Sequence, residues 1–302
     1  MFGFERLERE RQGEVIIFSE SILWSLFPVI TILSLVNISP LLSLAWSTLF
    51  AAVFFGIVLS VKNGWKELRN KAAIKDILIT TFLLGIVYYG LFFTGLRYTT
   101  AGNASLIQLT EIFFSFLFFN IWRKEYFSLA HIAGAILMLA GSIIIFYPSI
   151  HGIQIGDLLI LLACFISPFG NYFQRRARKQ VKSETILFIR SLISAPVIFI
   201  LAYLTRVNFS ELDLGKSFVF LIINGFFLLG LSKILWVEGI HRISVTKASA
   251  LNSVTPLLTL LFAWILLGNI PTKFQLLAFI PMIFGVILLG TNKKVESVII
   301  VE

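Results

Sequence analysis

Residues 91–121, LFFTGLRYTTAGNASLIQLTEIFFSFLFFNI, lie without a gap over residues 235–265, LWVEGIHRISVTKASALNSVTPLLTLLFAWI. The two stretches are 144 residues apart and share Leu91/Leu235, Gly95/Gly239, Ala104/Ala248, Ser105/Ser249, Leu117/Leu261 and Phe118/Phe262. The same register continues at Met138/Met282, Gly141/Gly285 and Ile143/Ile287. Apolar segments match by chance often enough that single identities carry little. The ungapped length and the shared segment boundaries carry the inference of an internal repeat.

Around this pair the chain reads as ten apolar runs, at about 15–36, 39–61, 76–96, 101–122, 128–147, 155–174, 184–205, 217–240, 245–268 and 273–290. Each is close to the roughly 20 residues that a helix needs to cross a bilayer. The chain has 302 residues, of which 58% are hydrophobic and 14% charged. An ordinary soluble chain is about half apolar and about a quarter charged, and here the excess sits in long runs. Alternating ten-residue segments, the mark of a membrane β-barrel, are absent from the sequence. The expected fold is therefore all-α: a polytopic membrane protein of ten transmembrane helices. The repeat divides it into two five-helix units, 1–150 and 151–302. Five is odd, so the second unit enters the membrane upside down relative to the first. Inverted repeats are a common construction of secondary transporters.

The net charge of +9 is not spread evenly. Nineteen of the 25 Lys and Arg fall before the first run or in alternate loops: Arg6, Arg9 and Arg11; Lys62, Lys66, Arg69, Lys71 and Lys75; Arg123 and Lys124; Arg175, Arg176, Arg178, Lys179 and Lys182; Arg242 and Lys247; Lys293 and Lys294. Only four, Arg97, Arg206, Lys216 and Lys273, fall in the other loops. The positive-inside rule then predicts a multi-pass protein of the cell (inner) membrane with both termini cytoplasmic. The basic excess is thus topological and does not imply a nucleic-acid partner. The first run is long for a signal h-region, and Val36-Asn37-Ile38-Ser39-Pro40 is unlike a small-residue cleavage site, so it is expected to stay as a span. With Cys164 alone there is no intrachain disulfide, and His131, His151 and His241 are too scattered for a metal site. No GxxxxGK[ST] loop occurs, so no cofactor is expected and ATP is not the direct energy source. A proton or ion gradient is then the candidate drive. Monomer and homodimer both remain open.

A stretch of the form G-[LI]-x-[YHR]-x-[TS]-x-x-x-AS opens the fourth and ninth runs, and ASALNSVTPLLTLLFAWILLGN follows in the ninth. With ten helices in a 5+5 repeat, these segments resemble the drug/metabolite transporter superfamily, EamA type, over nearly the whole chain. The family's "A-S-x-x-x-x-x-x-P…LLGE" pattern is departed from in two places. Ile112 stands in the first repeat where Pro256 stands in the second, and Asn269 replaces the terminal Glu, which Glu125 keeps in the first. The resemblance implies transport, across substrates as varied as amino acids, nucleotide sugars, sugar phosphates and drugs.

Ionisable groups inside spans are costly and usually face a cavity or a partner. Glu111 lies halfway along the fourth run, too deep for so short a side chain to reach an interface. Ala104, Gln108, Glu111 and Ser115 share one helical face. Their counterparts Ala248, Asn252, Thr255 and Thr259 are again small or polar, which predicts a wet cavity between the fourth and ninth helices. Lys233 lies deep in the eighth run, where its repeat counterpart is Tyr89, beside Tyr88. It is expected to be neutralised by Glu111 or Glu238, or to meet a substrate anion. Glu20 and Arg190 are nearer helix ends and are read either as snorkelling or as site residues. Trp24, Tyr89 and Trp236 are candidate aromatic lining. Pro28 and Pro168, at comparable depth in the first and sixth runs, are read as paired gating bends. Pro196, Pro256 and Pro281 are read as simple kinks.

Both signs in one cavity suit a zwitterion. The reading is a secondary active transporter, exporting a small organic metabolite such as an amino acid by alternating access, with the bilayer and the substrate as its partners. The alternatives are proton-coupled export of cationic drugs and exchange of nucleotide sugars or sugar phosphates. An intramembrane enzyme lacks a Ser–His or paired-Asp arrangement at depth, so none is expected. The topology is directly testable: a C-terminal green fluorescent protein fusion should fluoresce and a C-terminal alkaline phosphatase fusion should be inactive, whereas an active phosphatase would contradict the charge reading.

Overall fold

The computed structural model describes residues 2–36, 38–123, 129–147, 154–205, 214–240, 242–243, 248 and 251–290. Lys124, Glu125, His151, Arg206, His241, Lys247, Ser249, Lys293 and Lys294 lie outside the described residues. Among the described residues eight helices are long and apolar enough to span a membrane: α1 (Glu8–Ser34), α2 (Pro40–Val61), α3 (Lys71–Leu96), α4 (Ala101–Phe118), α5 (Leu129–Phe146), α6 (Ile155–Arg178), α7 (Ser183–Leu204) and α8 (Ser217–Gly239). Two shorter apolar helices follow, α9 (Thr255–Leu267) and α10 (Lys273–Leu289). The ten segments match the ten apolar runs, and the chain is an all-helical, multi-pass membrane protein. Some ends differ. Helix continues back to Phe2 before α1 and on to Arg178 in α6, because the flanking Glu, Lys and Arg residues are good helix formers that need no apolar face.

The outer surface is apolar where lipid would touch it. On α5, Ile132, Ile136, Leu139 and Ile143 form an exposed stripe at three- and four-residue spacing. The interior holds an aromatic core instead. Phe27 is fully buried and meets Trp24, Phe92 and Phe93 at centroid distances of 4.3, 5.4 and 5.9 Å.

The packing pattern reveals the repeat. Within the 144-residue correspondence α1 pairs with α6, α2 with α7, α3 with α8, α4 with α9 and α5 with α10. Like helices meet across the axis: α2 packs on α7, and α5 on α10. Unlike helices cross over: α1 of the first repeat packs on α8 and α9 of the second, and α6 packs on α3 and α4. The contacts are reciprocal to the residue. A Cβ at Gly141 would meet Met282 and the Ala278 carbonyl, and one at Gly285 would meet Met138 and the Gly134 carbonyl. A Cβ at Gly95 would strike Ile160, and one at Gly239 would strike Ile17, with Ile16, the counterpart of Ile160, in ordinary contact. Such small residues let helix backbones approach where lipid gives no hydrophobic drive for association.

Helical irregularities are also duplicated. α3 carries a π-helical stretch at Thr81–Tyr88 and α8 one at Ile223–Leu231. The α4 ladder is interrupted at Leu109, between Ala101–Gln108 and Thr110–Arg123. Before α9 the helix is interrupted at Ser253–Val254, the equivalent point. π-Turns are rare and favour functional sites, and irregular backbone at membrane depth is tolerated where protein buries it.

The loop ends of α2 and α6 are tied by charge. Lys62 pairs with Glu184 at 3.0 Å and Arg176 with Asp76 at 3.1 Å. Glu67 accepts the Lys182 backbone N–H at 2.8 Å and the Thr185 hydroxyl at 2.9 Å. Partial burial pulls the Glu67 carboxyl upward, but these hydrogen bonds and the Lys182 charge outweigh it and hold it below the ordinary carboxylate range.

The reciprocal glycine contacts make an equality testable. Gly141→Val and Gly285→Val should each cost about 1–3 kcal/mol by overpacking. Unfolding by SDS titration in mixed micelles would measure it, and a loss at only one of the two positions would contradict the symmetric α5–α10 interface.

Candidate functional site

The crossing of α1 onto α8 places Glu20 in the interior, where it is 1% exposed. Its Oε1 accepts the Ser232 hydroxyl at 3.0 Å, and its Oε2 has no hydrogen-bond partner among the described residues. Snorkelling is therefore not its role. The helix extends back to Phe2, so Glu20 sits further from the helix end than the apolar run suggested.

Lys233 follows Ser232 on α8, just past the π-helical stretch. Its Nζ lies 3.1 Å from the centroid of the Trp24 ring. Trp24 is one turn after Glu20 on α1 and is stacked on Phe27 with ring planes 8° apart. Ser232, the residue before Lys233, donates to Glu20, so that carboxylate lies against the same turn of α8. No carboxylate of the described residues lies within 4.0 Å of the ammonium. Glu238 binds Arg242 at 2.7 Å instead. Neither expected partner of Lys233, Glu111 or Glu238, is within ion-pair distance of it among the described residues, and its close contact is the Trp24 ring.

Glu111 turns toward α6. Its Oε1 accepts Ser167 Oγ at 2.5 Å and Asn171 Nδ2 at 3.1 Å. Gln108, one turn earlier, donates to the Tyr88 hydroxyl at 3.1 Å. The second repeat answers with the corresponding helices. Asn252 accepts Ser21 Oγ of α1 at 2.9 Å and Thr255 Oγ1 at 2.5 Å, and Thr259 donates to the Ser25 carbonyl at 2.9 Å. The two polar stripes therefore face α6 and α1 rather than each other alone.

Arg190 is 6% exposed and donates from Nη1 to Gln174 Oε1 at 3.1 Å. Its guanidinium lies 5.9 Å from the Tyr89 ring centroid. Gly85, Tyr89, Ser191 and Ser194 border the same narrow space, which has room for about one water. Trp236 sits apart, packed with Ile17, Ile243 and Ala248. Pro28 opens the second piece of α1, Phe27–Ser34, after an interruption at Leu26. There its missing N–H costs nothing. Pro168 lies inside an uninterrupted α6. The two prolines are thus in different backbone settings.

Several contributors escape a reading of single helices. Ser232 and Gln174 become visible only once α1 meets α8 and α6 meets α7. Ser167 and Asn171 form an i, i+4 pair on one face of α6, hydrogen-bonded at 2.9 Å. Away from the centre, Asp157 is fully buried and accepts Thr99 Oγ1, and also Asn103 Nδ2 at 3.2 Å; Asn103 in turn accepts Gln275 Nε2 at 2.7 Å. This knot ties the start of α6 to α4 and α10. No cluster of three or more metal-ligating side chains occurs among the described residues.

The EamA-like transporter family model matches residues 11–147 and, a second time, residues 154–291. An uncharacterized transporter of Methanothermobacter thermautotrophicus is 28% identical over 240 residues, covering 77% of this chain and 69% of that protein. The uncharacterized transporter YoaV of Bacillus subtilis is 21% identical over 253 residues, 82% of this chain and 86% of its own. A crystal structure of a protein 20% identical to this chain superposes with a TM-score of 0.68, over 92% of this chain and 96% of that one, a likeness of fold.

Burying Glu20 beside Lys233 sets up a test by mutant cycle. Lys233→Met should cost about 3 kcal/mol, since it strands a desolvated carboxylate. Adding Glu20→Gln should recover about 1 kcal/mol more of that loss than adding Glu111→Gln does. Greater recovery with Glu111→Gln would restore the Glu111–Lys233 pairing as dominant.

Proposed function

Since the chain belongs to the EamA-like transporter family, a family of multi-pass membrane proteins, we propose that it is a secondary active transporter that exports a small zwitterionic metabolite, of the amino-acid class, by alternating access. The observation that carries this reading is an interior constellation with both signs of charge, built from both repeats: buried Glu20 and Arg190 on α1 and α7, and partly buried Glu111 and Lys233 on α4 and α8. A zwitterion offers each of those charges a partner, and neither end needs to be stripped of water without compensation. A doubly anionic sugar phosphate would find two cations but also two carboxylates.

Alternating access draws its support from the reciprocal packing. Contacts such as Met138–Gly285 and Met282–Gly141 exchange under the repeat, so a rearrangement at one side has an equivalent at the other. The duplicated π-helical stretches and helix interruptions border the charged residues, where a change of backbone register would alter them directly. The chain is read as a carrier and not an enzyme, in the cell membrane with both termini cytoplasmic. Residues 1–150 and 151–302 form its two units, and a proton or ion gradient drives it. It works without a cofactor or nucleic acid, as a monomer or homodimer.

Proteoliposomes given a panel of labelled amino acids test this reading. Uptake should saturate, and Glu111→Gln and Lys233→Met should each reduce it by about 10-fold or more while the protein still elutes as a folded species. Pro28→Ala and Pro168→Ala should slow turnover more than they weaken binding. If protons drive the cycle through Glu111, the pH dependence of uptake should vanish in Glu111→Gln. Full transport by both charge variants would refute the assignment of the site.

A further inference from the structure

Lys233 does not sit as a lysine in a simple ion pair would. Its ammonium lies over the Trp24 indole face at 3.1 Å, while the other cation–aromatic contacts of the described residues span 5.3 to 5.9 Å. Glu20, which accepts from the neighbouring Ser232, is left with Oε2 unpartnered among the described residues and 1% exposed. A lysine serving only to neutralise Glu20 would gain most by donating to that oxygen.

The surface beneath Lys233 is built and rigid. Trp24 is 7% exposed and clamped by Phe27, whose ring is parallel to it at 4.3 Å. Glu20 projects from the same face of α1 one turn away, fixed by Ser232. An immobilised aromatic face with a desolvated carboxylate beside it is the chemistry that recognises organic ammonium groups.

We propose that Trp24 and Glu20 form an ammonium-binding subsite that Lys233 fills as a tethered stand-in, and that the substrate's ammonium displaces Lys233 from it. The proposal rests on the zwitterion reading above and refines it, since it assigns the ammonium end to Glu20 and Trp24. The displaced Lys233 is then free to meet the substrate's carboxylate. Binding of one end thereby exposes the group that holds the other, so a ligand with only one charge gains less than a zwitterion.

The test removes the tether. Full-length Lys233→Met in detergent should bind tetramethylammonium at least about 10-fold more tightly than the unaltered protein, by equilibrium binding of the labelled cation. Adding Trp24→Leu should return binding to the unaltered level. A folded Lys233→Met chain with no gain overturns the proposal, and so does a gain that survives Trp24→Leu. Should Lys233→Met fail to fold, Lys233→Gln keeps a polar group near Glu20, and the same two comparisons apply to it. Since the readout is binding of a cation and not transport, a gain in Lys233→Met would stand even if no amino acid were carried. Amino-acid transport without that gain would sink the stand-in alone.

Discussion

A charge withdrawn from water into an apolar bundle has to be met by another group of the protein, and in this chain that demand joins the two repeats. Glu20 of α1 and Lys233 of α8 lie 213 residues apart in sequence and belong to different halves. Each would be expensive in lipid alone. Their meeting requires that α1 leave its own repeat and dock on α8 and α9, which the packing confirms. The mirror arrangement, α6 docked on α3 and α4, brings Ser167 and Asn171 to Glu111. The interior is polar because the halves interlock, and the interlocking is supported by the polar contacts.

The irregular backbone follows the same logic. In hydrocarbon every N–H and C=O must be satisfied within the protein, so interruptions at Leu26, Leu109 and Ser253–Val254 are tolerable only where other helices cover them. They fall beside Trp24, Glu111 and Asn252. The π-helical stretches of α3 and α8 end next to Tyr89 and Lys233. Deviations from the regular helix are thus concentrated on the residues that carry charge or hydrogen-bonding capacity, while the lipid-facing stripe of α5 stays regular.

The spans and the repeat were legible because hydropathy and the 3.6-residue period are local properties of the chain. The choice of partner was not, since it depends on which helix crosses to which repeat. Lys233 illustrates this: nothing near residue 233 in sequence points to Trp24. The burial of Glu20 was less legible, because charged helix-forming residues carry α1 beyond its apolar run and shift the apparent depth. The prolines were legible as breaks in principle, yet Pro28 stands where a helix restarts and Pro168 where it continues. The duplicated π-turns have no residue signature that separates them from ordinary apolar helix.

The cross-repeat docking of α1 underlies both the site and its proposed use, and it can be measured without knowing the substrate. Ser21 and Asn252 are hydrogen-bonded at 2.9 Å between α1 and the start of α9. Cysteines at both positions, Ser21→Cys and Asn252→Cys in a Cys164→Ser background, should be joined by a short thiol-specific cross-linker in native membranes. The joined chain should run as a distinct band after cleavage between the repeats. Two reactive cysteines that label singly but never link would contradict the docking of α1 on the second repeat, and with it the shared charged interior.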